Sequence, residues 1–368
     1  MKNTLNLALG ALLVALPAFA APPVAAQEEK VVNVYIWSDY RAEDTFEKFE
    51  AETGIKVVEA NYDSNEMLEG KLVAGNSGYD VVVPSGFFLQ RQLGIGLYQK
   101  LDKSKLPNLA NMDPAIMKAT EAFDPGNEYS VDYMWGTTAL GYNVDKVKEL
   151  LPNAPLDSWD LLFKPENAEK LASCGITVLD APAEVMAIAL NYLGLDANSE
   201  NKDDLAKAEV LMNSIKPYIR KFDSSGYIDD LANGDACLSI GYSGDVYIAK
   251  ARAEEAKNGV NVAYVVPKEG TIQWFDLLAI PADAPHPDNA LKFINFIMEP
   301  QVTADISNYV FYANGNKAAF PLVDEAIRND PNIYPPEDIA EKLVPLKAHS
   351  DGFTRDLTRT WTRIKTGL

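Results

Sequence analysis

The sequence predicts an α/β protein built on parallel, doubly wound sheet and large enough for two domains. Two patterns carry this. Valine-rich apolar runs alternate with amphipathic stretches from Val31 to Pro84, and a second alternation of the same kind follows Asn143. Length agrees: roughly 340 residues remain once an N-terminal leader is set aside, more than one simple core holds.

Val31 to Trp37 is a short apolar run, read as a buried strand. Residues 42–52 place Phe46 and Phe49 on one helical face, and Gly54 stops the helix. Ile55 to Tyr62 is the next strand. Ser64 then caps a helix with Met67, Leu68 and Leu72 on one side, and Tyr79 to Pro84 is a third strand. The βαβαβ order predicts parallel pairing. Tyr129 to Asn143 is extended. Ile176 to Leu179 is a strand, followed by helices over Glu184 to Leu193 and about 202–219. Cys237 to Ile240 is a strand that runs through Gly241-Tyr242-Ser243-Gly244 into a helix starting at Asp245. Val260 to Pro267 and Ile272 to Ile280 are strands again, and 287–298 is helical.

The first residues form a secretion signal: Lys2, an apolar stretch from Leu5 to Pro17, then small residues that allow cleavage after Ala20 or Ala26. The apolar stretch is well short of the ~20 residues a membrane span needs. Residues 1–26 are therefore expected to be removed, leaving a free, soluble chain. Fifty-three acidic residues against 33 basic ones give a net charge of −20, which argues against nucleic acid as a partner and suits a cationic one. Cys174 and Cys237 are the only cysteines; an exported chain favours one disulfide between them, with two buried thiols as the alternative. His286 and His349 stand apart from other ligand-type clusters, so a histidine metal site or a Ser-His-Asp triad has little material.

Several strand ends combine an acid with aromatic residues. That combination suits a flexible apolar chain with ammonium ends, because carboxylates neutralise the ends while ring faces cover the methylenes. Trp37-Ser38-Asp39-Tyr40 follows the first strand, where ligands of doubly wound sheets sit; helix capping by Ser38 or Asp39 and a core Trp37 explain it as well. Ser85 follows the third strand and is either a ligand hydroxyl or a cap. Tyr242 and Asp245 repeat the aromatic–acid pairing, with an N-cap role for Asp245 as the alternative. Asp276 lies in the apolar run Ile272-Gln273-Trp274-Phe275-Asp276-Leu277-Leu278. A buried carboxylate there requires a cation, supplied by a ligand or by a protein Lys or Arg, and without one it is poorly satisfied. Glu184 stands in a first helical turn, which the helix dipole alone explains. Ser224 and Tyr312 are weaker candidates, a turn and a core aromatic by default.

The ordered segments YIWSDY, ETGIKVV, EGKLVAG, YDVVVPS, KLDKSKLPNL, GYNVDKVK, DSWDLLFKPEN, DLANGDAC, GDVYIAKARAEEAKNGVNV and VFYANGNKAA resemble the putrescine- and spermidine-binding subunits of bacterial polyamine importers, over nearly the whole mature chain. The resemblance implies a two-lobed periplasmic binding fold of type II, each lobe a mixed sheet flanked by helices, with the ligand in the cleft between them. It implies lobe 1 over 27–135 plus about 258–329, and lobe 2 over about 136–257 plus 330–368. Residue by residue, it places Trp37 and Tyr242 on either side of the ligand methylenes and Ser38, Asp39, Tyr40 and Ser85 on the first lobe. Glu184, Ser224 and Asp245 come from the second, Asp276 holds one ammonium, and Trp274 and Tyr312 complete the aromatic wall. It also pairs Cys174 with Cys237. The chain departs from the putrescine binders in carrying Tyr242 where they usually have Trp, and Trp274 where they tend to have Phe.

The function so implied is capture of putrescine or spermidine by a monomeric periplasmic protein and delivery to an inner-membrane ABC permease, without cofactor, metal or catalysis. Two other classes fit parts of the pattern: an exported hydrolase using Asp245 and Asp276 as a carboxylate pair, and a binder of another small ligand such as a sugar or ferric ion.

Overall fold

A computed structural model describes residues 28–367; the expected signal and its cleavage sites lie outside them. Ten strands form one continuous sheet: β1 (Val31–Trp37), β2 (Lys56–Tyr62), β3 (Val81–Val82), β4 (Ser130–Asn143), β5 (Ile176–Val178), β6 (Lys221–Phe222), β7 (Leu238–Tyr242), β8 (Val262–Val265), β9 (Thr271–Ala279) and β10 (Leu343–Pro345). The order is β2-β1-β3-β9-β4-β7-β5-β6, with β10 on β9 and β8 on β4. β1 pairs in parallel with β2 and β3, and β5 with β6 and β7, as the alternation predicts. The sheet as a whole is mixed rather than parallel, because β4 and β9 run antiparallel to each other, and each is antiparallel to a further neighbour.

Those two long strands join the halves. Ser130 to Trp135 of β4 pairs with the end of β9 beside β3, while Thr138 to Asn143 pairs with β7 and β8. β8 lies on the second-half end of β4, paired with Leu140 to Asn143. Ile333 and Tyr334 pack with Ala304 of the helix Pro300–Val310. A β-bulge between Asp132 and Met134 breaks the β4–β9 ladder on the first-half side.

Two large clusters of buried side chains form, one within the first half and one that runs from the second half across to Tyr35, Leu68 and Phe88 of the first. In the first, Val32, Val34 and Ile36 alternate on one face of β1 and meet Phe49, Phe293 and Phe296. In the second, Trp159, Phe163, Leu190 and Leu238 are buried together. The helix Thr45–Thr53 ends at Gly54 in the left-handed region (φ 65°), and the Ser64 hydroxyl accepts from Met67 N at 3.2 Å, capping Asn65–Val73 as its sequence implies. Leu68 and Leu72 are buried there, but Met67 faces outward at 48% exposure. The amphipathic helix Asp351–Thr366 was not apparent in the strand–helix alternation; it buries Leu357, Trp361 and Ile364 against Pro182–Tyr192 and Lys202–Ile215.

Cys174 and Cys237 form a disulfide, Cα–Cα 5.5 Å, that ties the approaches to β5 and β7 across 63 residues of chain. A closed loop of that size restricts the unfolded chain by roughly 4 kcal/mol in the entropy model. Replacing both cysteines by Ser should lower the unfolding free energy by about 2–5 kcal/mol. The unreduced protein, unfolded in denaturant, should take up no alkylating reagent; two alkylated thiols would show the bridge to be absent.

Candidate functional site

The halves face each other across a slot lined by Trp37 at the end of β1 with Ser38 and Tyr40 beyond it, Tyr62 at the end of β2 with Asp63 beyond it, Ser85 after β3, Trp274 and Asp276 of β9, and Tyr312. The second half contributes Glu184, Ser224, Ser225, Ile228, Tyr242 and Asp245. This is the carboxyl end of the parallel strands, where the loops leave the sheet. Trp274 and Asp276 share it because residues two apart on a strand point to one face. Tyr242 ends β7, and Asp245 follows in the first turn of the helix Ser243–Ala256.

Four carboxylates and no Lys, Arg or His line the slot. Asp276 is 4% exposed and accepts from Ser85 Oγ (2.6 Å) and Tyr40 Oη (2.9 Å). Asp245 is 8% exposed and accepts from Tyr312 Oη (2.6 Å) and Tyr227 Oη (2.8 Å). Glu184, 5% exposed, accepts from Thr138 Oγ1 (2.9 Å) and Tyr242 Oη (3.2 Å). Burial pushes Asp276 and Asp245 up to about 7 and Glu184 to about 8; the hydroxyl donors pull the other way, and neighbouring acids add to the rise. Hydroxyls solvate these charges without cancelling them. The expectation of a poorly satisfied Asp276 is corrected in that respect: it has two good donors, and what it lacks is a cation. No protein Lys or Arg partners it among the described residues.

The aromatic rings form a chain of edge contacts. Trp37 meets Tyr242 at 6.2 Å between centroids, Tyr242 meets Trp274 at 6.0 Å, Trp274 meets Tyr312 at 5.3 Å, and Tyr312 meets Tyr40 at 5.2 Å. Their polar atoms fix the rings: Trp37 Nε1 donates to the Val83 carbonyl (2.9 Å) and Trp274 Nε1 to Thr138 Oγ1 (3.1 Å). Gly136 makes room for this, since a Cβ there would lie 2.8 Å from the Trp274 ring.

The structure gathers eleven of the twelve candidates around the slot, all except Asp39. Asp39 points instead to Arg252 of the other half, its carboxylate 2.9 Å from the guanidinium and 43% exposed. The capping alternatives divide: Asp44 precedes the first helix and Asp245 lies inside its own, whereas Ser85 does stand at the N-cap of Gly86–Leu93, with its hydroxyl turned to Asp276 and not to the helix. Ser38 Oγ donates to Asp63 (2.9 Å), and Ser224 Oγ accepts from Asp180 N (3.0 Å). Tyr62, Asp63, Ser225 and Ile228 also line the slot and had not been singled out. For Tyr62 and Asp63 the signal was available: Tyr62 pairs with Trp37 in register, so the same strand-end rule reaches both.

The sequence pattern of the bacterial extracellular solute-binding protein family matches residues 44–335. This chain belongs to that family. Among relatives of this solute-binding protein, the putrescine-binding periplasmic protein SpuD of Pseudomonas aeruginosa is 56% identical over 343 residues, covering 93% of this chain and 94% of its own. The putrescine-binding periplasmic protein PotF of Escherichia coli is 55% identical over 344 residues, 93% of each chain. The crystal structure of the spermidine/putrescine ABC transporter substrate-binding protein PotD of Streptococcus pneumoniae superposes with a TM-score of 0.72 at 28% identity, covering 92% of this chain and 99% of that one. The two-lobed type II fold is thus established, and the solute-binding protein is not an enzyme. Among the described residues no helix is long and apolar enough to cross a membrane, and no group of three or more acids, histidines or cysteines is arranged to hold a metal.

The raised acids set a pH dependence. Below about pH 7 the empty slot of the solute-binding protein holds protons on Asp276, Asp245 and Glu184. Their folded values lie above the unfolded ones, so their contribution to stability is full below about pH 4 and is lost as pH rises through 7 to 8. A bound cation needs the ionised forms and must expel those protons. Affinity for a cationic ligand should therefore rise from pH 5 to pH 8, by up to about tenfold per unit for each proton released. Calorimetry at pH 6 in two buffers of different ionisation heat measures the release; identical heats in both would contradict it.

Proposed function

We propose that this protein is a periplasmic polyamine-binding subunit of an ABC importer, which captures putrescine or spermidine between its halves and presents it to the inner-membrane permease. One observation carries the reading: buried carboxylates spaced along an aromatic slot that contains no cationic side chain. An alkane chain with ammonium ends supplies the missing charges and lays its methylenes on Trp37, Tyr242 and Trp274. A sugar would leave the acids unneutralised, and a ferric ion would need a ligand cluster that the described residues do not form. The relatives SpuD, PotF and PotD, which are putrescine- or spermidine/putrescine-binding proteins, support the same class.

The mechanism is closure about the β4–β9 pair. In this reading Asp276 and Trp274 stand on the hinge strand itself, Tyr40 and Ser85 on one half, and Glu184, Tyr242 and Asp245 on the other. A ligand in the slot gives each half a reason to meet the other, and the closed form is what the permease would read.

Titration of stripped protein with putrescine, cadaverine, spermidine and spermine tests the class and ranks its members; heats at background for all four would end the reading. Asp276→Asn tests the site. It keeps the shape and removes the charge, so it should cost roughly 2–5 kcal/mol of binding, the usual cost of breaking a desolvated charge pair. Above about pH 7, where Asp276 is ionised without ligand, the mutant should be as stable as wild type or more so, because a buried charge has gone. Thermal melts with and without ligand separate this from a purely structural Asp276, which would lower the empty melting point and leave the ligand-induced shift intact.

A further inference from the structure

Asp132 is an acid that the slot does not use. It is 2% exposed on β4, at the bulge that breaks the ladder with β9, and both of its carboxylate oxygens are buried without a hydrogen-bond partner. It presses on the backbone of the segment 312–316: a side chain on Gly315 would collide with Asp132 Oδ2, and the Gly315 amide lies near it without completing a hydrogen bond. The other donors around it are already engaged. Asn316 Nδ2 donates to the Met298 carbonyl (2.9 Å) and to Thr303 Oγ1 (3.1 Å), and Thr303 Oγ1 donates to the Ile297 carbonyl (2.7 Å). The gap that Asp132 shares with Met112, Met298, Thr303 and Asn316 is too small to admit a water molecule. Ile116 of the helix Pro114–Thr120 and Thr303 of the helix Pro300–Val310 bring no charge to it. The titratable groups in reach are Asp276 of β9, Tyr40 after β1, Tyr133 of its own strand and Tyr334, none of them a cation.

A carboxylate with no donor, no water and no counter-charge is too costly for a core to hold, so Asp132 is a neutral acid here. Burial and the nearby Asp276 both raise its hold on the proton. The segment laid over it carries a wall of the slot. Trp135 N donates to the Ala313 carbonyl (2.8 Å) and Asp113 N to the Gly315 carbonyl (2.7 Å), which fastens the segment in place. Tyr312 begins it, and Tyr312 Oη donates to Asp245 Oδ1 (2.6 Å) and accepts from the Asp245 amide (3.1 Å). We infer that Asp132 is a positioning residue: its carboxyl must keep its proton for the segment 312–316 to seat, and losing that proton undoes the Asp245 end of the slot. The inference rests on the polyamine reading only for the ligand used to detect it. An ionised Asp132 has to reach water, Gly315 has to lift to admit it, and Tyr312 moves with the segment. The folded protein holds this proton more tightly than the unfolded chain does. Its contribution to stability is therefore full below about pH 4 and is lost as pH rises toward the folded value. Affinity falls only once the folded protein itself gives up the proton, in alkaline solution, against the rise that the slot acids produce from pH 5 to pH 8.

Asp132→Asn in the full chain tests this, since it keeps the shape and cannot ionise. Melting points of the empty proteins are compared from pH 5 to pH 8. Packing sets the offset between them, but the margin in favour of the variant should widen by a few degrees as pH rises. Asp276, Asp245 and Glu184 titrate in both proteins and cancel in that difference. Infrared difference spectra, wild type minus variant at pH 7, should show the carbonyl stretch of a protonated carboxylic acid. Putrescine should bind the two proteins with a constant ratio of Kd values near neutral pH. By pH 9.5 wild type should have lost about threefold or more relative to the variant, a ratio from which the ligand's own loss of protons cancels. A melting margin independent of pH, or a carboxylate band in place of the acid band, would overturn the neutral acid. A Kd ratio unchanged from pH 6 to pH 9.5 would overturn the positioning role. If Asp132→Asn does not fold, Asp132→Leu carries the same comparisons. Failure of wild type to bind putrescine or spermidine at any pH would instead refute the proposed function, and the melting and infrared readings would still decide the state of Asp132.

Discussion

Asp276, Asp245 and Glu184 are buried acids whose partners are hydroxyls, and the rest of the site is arranged around that fact. A hydroxyl stabilises a carboxylate by one hydrogen bond but leaves its charge in a poorly polarisable surrounding, which costs several kcal/mol per ion without a counter-charge. The fold could lower that cost with a lysine, and every lysine so placed would then compete with a cationic ligand. Tyrosine and serine leave the charge available. The raised acids are the consequence: protons stand in for the cation while the slot is empty.

Such a site has to be rigid where the acids are and open where the ligand enters. The β4–β9 pair meets the first need. Asp276 sits on a strand hydrogen-bonded on both sides, Trp274 is pinned to Thr138 across the ladder, and Gly136 lets the indole lie against the neighbouring strand. The strands that carry chemistry are also the ones that cross between the halves, so the slot is built on the axis about which closure is proposed. Donors from the first half, Tyr40 and Ser85, and acids from the second, Glu184 and Asp245, then approach a fixed centre.

Most of this was legible in sequence because it is local. The aromatic–acid pairs at strand ends stand out without any tertiary knowledge, and Asp276 is conspicuous as an acid in an apolar run. Strands β1, β4 and β9 were located to within a residue or so, since buried strands have strong composition. What sequence hid was relational. The direction of β4 and β9 depends on partners far away in the chain, so a parallel sheet was the natural reading of βαβαβ. Asp39 belongs to the same short segment as Trp37 and Tyr40, yet its left-handed backbone turns it out of the slot toward Arg252, more than 200 residues later. Tyr227 and Thr138 carry hydroxyls to the buried acids, but nothing in their own neighbourhood marks them. The amphipathic helix Asp351–Thr366 shows a clear 3.6-residue stripe that attention to strand–helix alternation passed over.

The same tyrosines bear on both selection and closure, and this limits what any one measurement reveals. Tyr312 gives its hydroxyl to Asp245 on the far half, accepts from the Asp245 amide, and presents the ring against which Gly244 packs. A ligand that draws the Asp245 charge toward itself therefore acts on a contact between the halves, so the chemistry of the slot and the meeting of the halves share one side chain. Affinity in this architecture is a product of the two, and a residue that never touches ligand can alter it as much as one that does. Tyr40 lacks that double role: its hydroxyl goes to Asp276 and its ring to Tyr133 and Tyr312, all within the first half or on the crossing strands. The two ends of the slot thus differ in kind. The Asp276 end is fixed by the sheet, and the Asp245 end is completed only when the halves meet.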